Sequence, residues 1–257
     1  MAKTHCEAPP AETMKEHPLL AASDGLFVQQ RFEPAELCSC EIPNRFKVYP
    51  LSSEGKKAAT STPSMYVAER TAGVCDCLYK QLCGPCREMT SDVYLGPTGD
   101  DNQNITATIH KSCGIASCIC CRSRTTVFPH DGSNSSFVID DTESPCDLYN
   151  VFCGLRFHAL NLTFSGSCMF CANNPCCNYP MTISRSLSSE ADIDESNPKA
   201  GRGELTKMAG GCSEFCTGTN RYAAKFPPGA TFAERLALLA SIIHVDANYF
   251  EQPKNNN

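Results

Sequence analysis

The segment TFAERLALLASIIHVDANYF, residues 231–250, decides the fold. Thr231 followed three residues later by Glu234 is a capping box, and the apolar run behind it is too long for a strand. The reading is a helix over 231–249, about four or five turns long. Its first half is apolar on nearly every face. A helix lying on a surface keeps a polar stripe, so this one must be enclosed on all sides. The run from Leu236 to Ile243 is broken by His244 and Asp246, well short of the roughly 20 residues that cross a bilayer, so its container has to be protein. His244 and Asp246 are expected past the end of that container, in solvent or serving a local cap.

The chain before the helix can supply the container. Short segments rich in Val, Ile, Thr, Tyr and Phe alternate with Gly, Pro, Asn, Asp and Ser clusters at 44–50, 64–71, 88–95, 103–111, 122–129, 136–142, 155–166, 179–186, 202–208 and 220–226. The fold class is therefore all-β with one long helix. A closed antiparallel β-barrel around the buried C-terminal helix removes exposed sheet edges and gives the helix an apolar lining. Residues 1–24 read as a flexible tail or an arm that orders on a partner, 25–251 as the barrel domain, and 252–257 as a second short tail. The stretch 187–201, with Glu190, Asp192, Asp194 and Glu195 among serines, reads as a solvated loop.

With 42% hydrophobic residues in 257, the chain can bury a core, and 19% charged residues with a net charge of -6 exclude a disordered chain and an electrostatic nucleic-acid binder. Nineteen cysteines and no tryptophan are the anomaly. The first twenty residues, MAKTHCEAPPAETMKEHPLL, lack the apolar stretch of a secretory signal and carry three acids that a transit peptide avoids. The expectation is an intracellular, reducing compartment, where surplus thiols bind metal, carry lipid or are buried. Sequons starting at Asn104, Asn134 and Asn161 keep a secreted, disulfide-bonded alternative open.

If successive strands run antiparallel, alternate connections share one end of the barrel, and each cysteine can be assigned to an end by counting. Cys38 and Cys40 precede the first strand of that series; Cys75, Cys77, Cys83 and Cys86 follow the second; Cys113, Cys118, Cys120 and Cys121 the fourth; Cys146 and Cys153 the sixth. With 155–166 a hairpin turning at Leu160 and Asn161, Cys168, Cys171, Cys176 and Cys177 follow the eighth strand, and Cys212 and Cys216 the tenth. Every cysteine except Cys6 then falls on one rim, while 51–63, 96–102, 130–135 and 187–201 contain none. A single long strand at 155–166 would send the last six to the other rim.

Three readings of a thiol rim stand side by side. Cys83-Gly-Pro-Cys86 and Cys168-Met-Phe-Cys171 have the two-residue gap that aims both sulfurs at one tetrahedral ion, and Cys75-x-Cys77 and Cys118-x-Cys120 can complete such sites. The candidate ligands of structural zinc are these with Cys113, Cys121, Cys176, Cys177, Cys212 and Cys216; the sixteen cysteines from Cys75 to Cys216 would fill four four-thiolate sites. Alternatively Cys118, Cys120 and Cys121 are S-acylated and tether the domain to a membrane. The third reading is small buried residues with no ligand. An iron–sulfur cluster would take the same ligands as zinc.

These residues resemble the phospholipid scramblases over most of the chain. LFVQQRFEPAELCSCEIPNRFKVYP at 26–50 is similar to the family's opening strands and MYVAER at 65–70 to its aromatic-Ala-Ala-Glu strand. VCDCLYKQLCGPC at 74–86 resembles the paired-cysteine loop, SCICC at 117–121 stands in the place of the palmitoylated run, and SGSCMFCANNPCC at 165–177 resembles the second cysteine-rich loop. Tyr222 to Pro227, followed by the helix, resembles the family's end. The resemblance implies a tubby-like barrel around a C-terminal helix, the architecture reached above from pattern. It also implies lipid handling.

One segment departs from the family. Its calcium-responsive stretch has two aspartates before an Asn-aromatic-Gly and more after a Phe-Pro, where this chain has Gly218, Asn220, Arg221, Tyr222 and Ala223, then Pro228 to Thr231. Calcium wants several oxygen ligands, usually charged; with only the Asn220 side chain beside a positive Arg221, calcium is not an expected cofactor. No nucleophile with a base, Gly-rich phosphate loop or His-Glu hydrolase pattern is present, and His110, His130 and His158 are spaced singly, so no enzyme is expected. The functional expectation is a structural or interaction subunit peripheral to a membrane, with other protein subunits as partners and no nucleic acid. The alternative is a scramblase moving phospholipid between leaflets without calcium control. Mitochondrion, cilium and plasma membrane remain open.

Overall fold

The computed structural model describes residues 23–32, 43–52, 62–70, 87–96, 105–113, 124–130, 135–140, 155–167, 177–185, 201–210, 217 and 219–250. Their order is β1 (Gly25–Gln30), β2 (Arg45–Pro50), β3 (Met65–Glu69), β4 (Met89–Leu95), β5 (Ile105–Lys111), β6 (Thr125–Pro129), β7 (Phe137–Asp140), β8 (Arg156–Ala159), β9 (Leu162–Gly166), β10 (Tyr179–Arg185), β11 (Gly203–Lys207), β12 (Arg221–Lys225) and α1 (Phe232–Val245), which runs on as one π turn over Asp246–Phe250. Each strand pairs antiparallel with its sequence neighbours, and β12 pairs with β1, so the twelve close into a barrel.

The spaced segments alone amount to eleven strands, because GLFVQQ at 25–30 places only two apolar side chains, Leu26 and Val28, into the core before a Gln pair. That miss has a topological meaning. An odd number of alternating strands would bring the first and last together parallel, whereas twelve let Phe27 pair with Ala223 in antiparallel register. The 155–166 hairpin is present: β8 turns into β9 at Leu160 and Asn161, with Leu160 held at φ 55.

Period-two alternation sorts every strand into an inward and an outward set. Leu26, Val28, Phe46, Val48, Val67, Val93, Ile109, Ile139, Met181 and Leu205 point inward and join Leu236 to Val245 of α1 in one core. Phe157 stacks on Phe164 with centroids 4.5 Å apart. Each fully buried aliphatic side chain contributes about 1.5–3 kcal/mol over an exposed one, so enclosing the helix supplies most of what holds the cylinder. The outward set is mostly polar, including Arg45, Lys47, Asp92, Thr108, Arg156, Thr182, Glu204 and Arg221. Apolar inside and polar outside is the reverse of a lipid-facing barrel.

A polar belt beneath the cysteine-bearing rim

Strand parity gives the barrel two unlike ends. α1 follows β12 and so enters from the rim whose connections lack cysteine. There the capping box forms as read: Thr231 Oγ1 accepts from the Glu234 amide, and the Glu234 carboxylate accepts from the Thr231 amide at 2.8 Å. Glu234 also accepts from Arg185 Nε at 2.9 Å and from Asn161 Nδ2 at 2.9 Å, which ties the helix start to β10 and to the β8–β9 turn. The Arg185 guanidinium, then the Thr231 amide and Asn161, hold the Glu234 carboxyl down at about 2 against the opposing effect of burial.

The other end of α1 lies beneath the opposite rim, where the inward positions at the ends of β1 to β5 and β12 turn from apolar to polar. Lys111 Nζ donates to the Arg87 carbonyl at 2.8 Å, and Arg87 makes a bidentate ion pair with Glu69. Glu69 accepts from the Asn44 amide at 2.9 Å, and Asn44 Oδ1 accepts from Gln30 Nε2 at 3.0 Å. Gln30 Oε1 accepts from the Asn220 amide at 3.0 Å; Asn220 Nδ2 donates to Asp246 Oδ1 at 2.8 Å, which also accepts from Tyr222 Oη at 2.7 Å. The belt thus runs from β5 through β4, β3, β2, β1 and β12 to the helix end. Asn44, Arg87, Lys111, Asn220 and Asp246 in it are buried. Buried charge costs several kcal/mol per ion unless paired and hydrogen-bonded, and here these groups are joined one to the next.

His244 and Asp246 were expected in solvent or at a local cap, and the first half of that expectation is corrected. They are 0% and 1% exposed, because the π turn carries the helix one turn further inside the cylinder. Asp246 does occupy the C-cap through its backbone N–H, but its carboxylate belongs to the belt. His244 Nδ1 meets Thr125 Oγ1 at 2.8 Å and Asn248 Nδ2 at 3.0 Å. An amide nitrogen only donates, so Nδ1 accepts and Nε2 carries the proton. Lys207 Nζ lies 5.0 Å from the centroid of the Phe250 ring.

Of the candidate thiols, Cys113 and Cys177 are described: both are exposed, one just after β5 and the other just before β10, which is the same rim. Cys75, Cys77, Cys83, Cys86, Cys118, Cys120, Cys121, Cys168, Cys171, Cys176, Cys212 and Cys216 lie outside the described residues, as does Gly218. Their connections nevertheless all leave odd-numbered strands and return to even-numbered ones. Adding β1 shifts every strand number by one, from even to odd, so these connections still share one rim. Among the described residues no cluster of three or more His, Cys, Asp or Glu forms. In the degenerate calcium segment, Asn220 points inward onto Asp246 and Arg221 points outward, donating to the Ala209 carbonyl at 2.8 Å. His110, His130 and His158 each contact a threonine on a neighbouring strand, Thr90, Thr108 and Thr163 respectively.

The belt is the feature that the sequence reading missed. Its signal was available: Gln30, Asn44, Glu69, Lys111 and Asn220 continue the inward alternation of Val28, Phe46, Val67, Ile109 and Tyr222. Chemically it is a brace, since it holds the roots of four cysteine-bearing connections at fixed spacing. Neither a curated protein nor a solved structure matches the chain. The Scramblase family model matches residues 4–252, nearly the whole chain, and the chain belongs to that family.

Proposed function

We propose that this scramblase-family chain is a non-catalytic structural or interaction protein, peripheral to a membrane, which presents its cysteine-bearing rim to other protein subunits. The observation that carries the reading is the filled bore with a polar exterior. A phospholipid headgroup crossing hydrocarbon needs a continuous polar path, and the described barrel offers neither a wet lumen nor a lipid-facing band. No described helix is long and apolar enough to cross a membrane. Asn220, in the calcium segment, is already bonded to Asp246, which supports activity without calcium.

Structural zinc on the rim thiols would stiffen connections that the belt holds only at their roots. Elemental analysis of protein prepared under reducing conditions tests this: one or more ions per chain is expected, and less than one ends it. The alternative, lipid movement between leaflets, is favoured by the SCICC run at 117–121 and by family membership. Reconstitution into vesicles with a fluorescent-headgroup lipid separates the two. The subunit reading expects no leaflet exchange with or without calcium, and co-purification with other chains in a fixed ratio. Exchange above the protein-free background overturns it.

A further inference from the structure

The mouth through which α1 enters the barrel carries an apolar groove on one side. Phe232, Ala233 and Leu236 from the first turn of α1, Pro129 and Phe137 at the ends of β6 and β7, and Leu160 of the β8–β9 turn line a space of about 100 Å³. Ala233 lies exposed on one side of it, and Leu160 is 42% exposed on the other. An apolar cavity of about 150 Å³ takes a benzene ring, so this groove suits a branched aliphatic side chain. The chain reaches the same mouth just before β1. Arg235 Nη1 donates to the Ser23 carbonyl at 3.2 Å, and the Phe226 amide donates to the Asp24 carbonyl at 2.9 Å, so Ser23 and Asp24 are pinned beside the start of α1. Phe232 and Arg235, three residues apart, are neighbours on the helix surface. The groove therefore opens next to the point from which residues 1–22 depart.

We infer that the stretch Pro18-Leu19-Leu20-Ala21-Ala22, which lies outside the described residues, docks on this groove with its leucines as anchors. Reach and placement carry the inference. Leu20 and Leu19 stand three and four residues before Ser23, a span of about 10–14 Å, and a helix with its side chains is about 10–12 Å across. Composition agrees. The run 18–22 is the longest apolar stretch in the first 22 residues, whereas the rim connections next to the groove, 96–104 and 130–136, contain no Val, Leu, Ile, Met or Phe. The N-terminal arm thus orders on its own barrel. It straps the mouth at the rim opposite the cysteines, whatever the cysteine-bearing rim meets.

The test is hydrogen exchange of the full chain under reducing conditions, read by peptide mass analysis. Amides of 19–22 should exchange at least about tenfold more slowly than a free chain, the effect of one aliphatic side chain held out of water. Leu19→Ser/Leu20→Ser should abolish that protection. So should Ala233→Glu, which puts a carboxylate in the groove yet suits the first turn of a helix, where the N-terminus favours negative charge. Met14→Ser, in the same arm, should leave the protection unchanged. Exchange of 19–22 at the free-chain rate, protection that persists in Ala233→Glu, or an equal loss in Met14→Ser overturns the inference. So does protection that rises with protein concentration while sedimentation shows a doubled mass, since a second copy is then the occupant. Should Ala233→Glu lose its unfolding transition, radical labelling of Phe137 and Phe232 decides: it should rise in Leu19→Ser/Leu20→Ser, and no change there overturns the inference.

Discussion

The two rims of the barrel solve different problems. At the cysteine-free rim one carboxylate, Glu234, gathers Arg185, Asn161 and the Thr231 amide within a single helical turn and seats the helix. At the other rim a belt of side chains in or next to six strands meets the helix end at Asp246. A short-range clamp follows from a few adjacent sequence positions. A long-range belt depends on the whole cylinder being closed. The end that organises the cysteine-bearing connections is therefore the end most dependent on global folding.

That contrast can be broken most strongly at Asp246. Asp246→Ala strands Asn220 Nδ2 and Tyr222 Oη in the interior, and should cost about 2–5 kcal/mol in urea unfolding while raising thiol reactivity at the rim. A loss below about 1 kcal/mol would mean that the belt is not bearing on stability.

Glu234→Gln sharpens the other side, with an expected cost of about 1.5–3 kcal/mol at neutral pH. Because the Glu234 carboxyl is lowered from 4.5 to about 2 in the folded chain, its contribution is fully present above pH 4.5 and is lost as pH falls toward 2. The variant should lack that component of the acid transition. Parallel wild-type and variant pH profiles would contradict the clamp.

Thr125→Val removes a donor to His244 Nδ1 and should cost about 1–2 kcal/mol, measured as a shift in the unfolding midpoint. The smallest effect is expected at Leu160, a bulky residue at φ 55 and 42% exposed. Leu160→Gly should raise stability by about 0.5–1 kcal/mol, because only glycine takes that backbone without steric cost. A lower melting temperature would show that the exposed side chain contributes more than its backbone costs.

Much of this architecture is legible in the sequence because its signals are local. The capping box at Thr231 and Glu234 and the all-round apolar helix require a container, and the alternating segments provide one. β1 escaped because Gly25 to Gln30 is brief and ends in polar residues that serve the belt. The burial of His244 and Asp246 escaped because a π turn cannot be read from composition, and because their partners Thr125, Asn220 and Tyr222 become neighbours only when the cylinder closes. Asn161 carries a second lesson. A sequon by pattern, it has its Nδ2 committed to Glu234, so the local motif and the folded environment point to different uses of one side chain.

The central claim is that strand parity collects the thiols on one rim. A short bifunctional thiol cross-linker, followed by peptide mass analysis, tests it directly in a Cys6→Ser chain carrying Ser135→Cys on the cysteine-free rim. Strands of four to seven residues separate the rims by about 13–23 Å, beyond a reagent of about 8 Å. Cross-links should join peptides from different cysteine-bearing connections and leave the cysteine introduced at 135 unlinked. Intramolecular links from position 135 to native cysteines, as frequent as those among the native ones, would contradict the account.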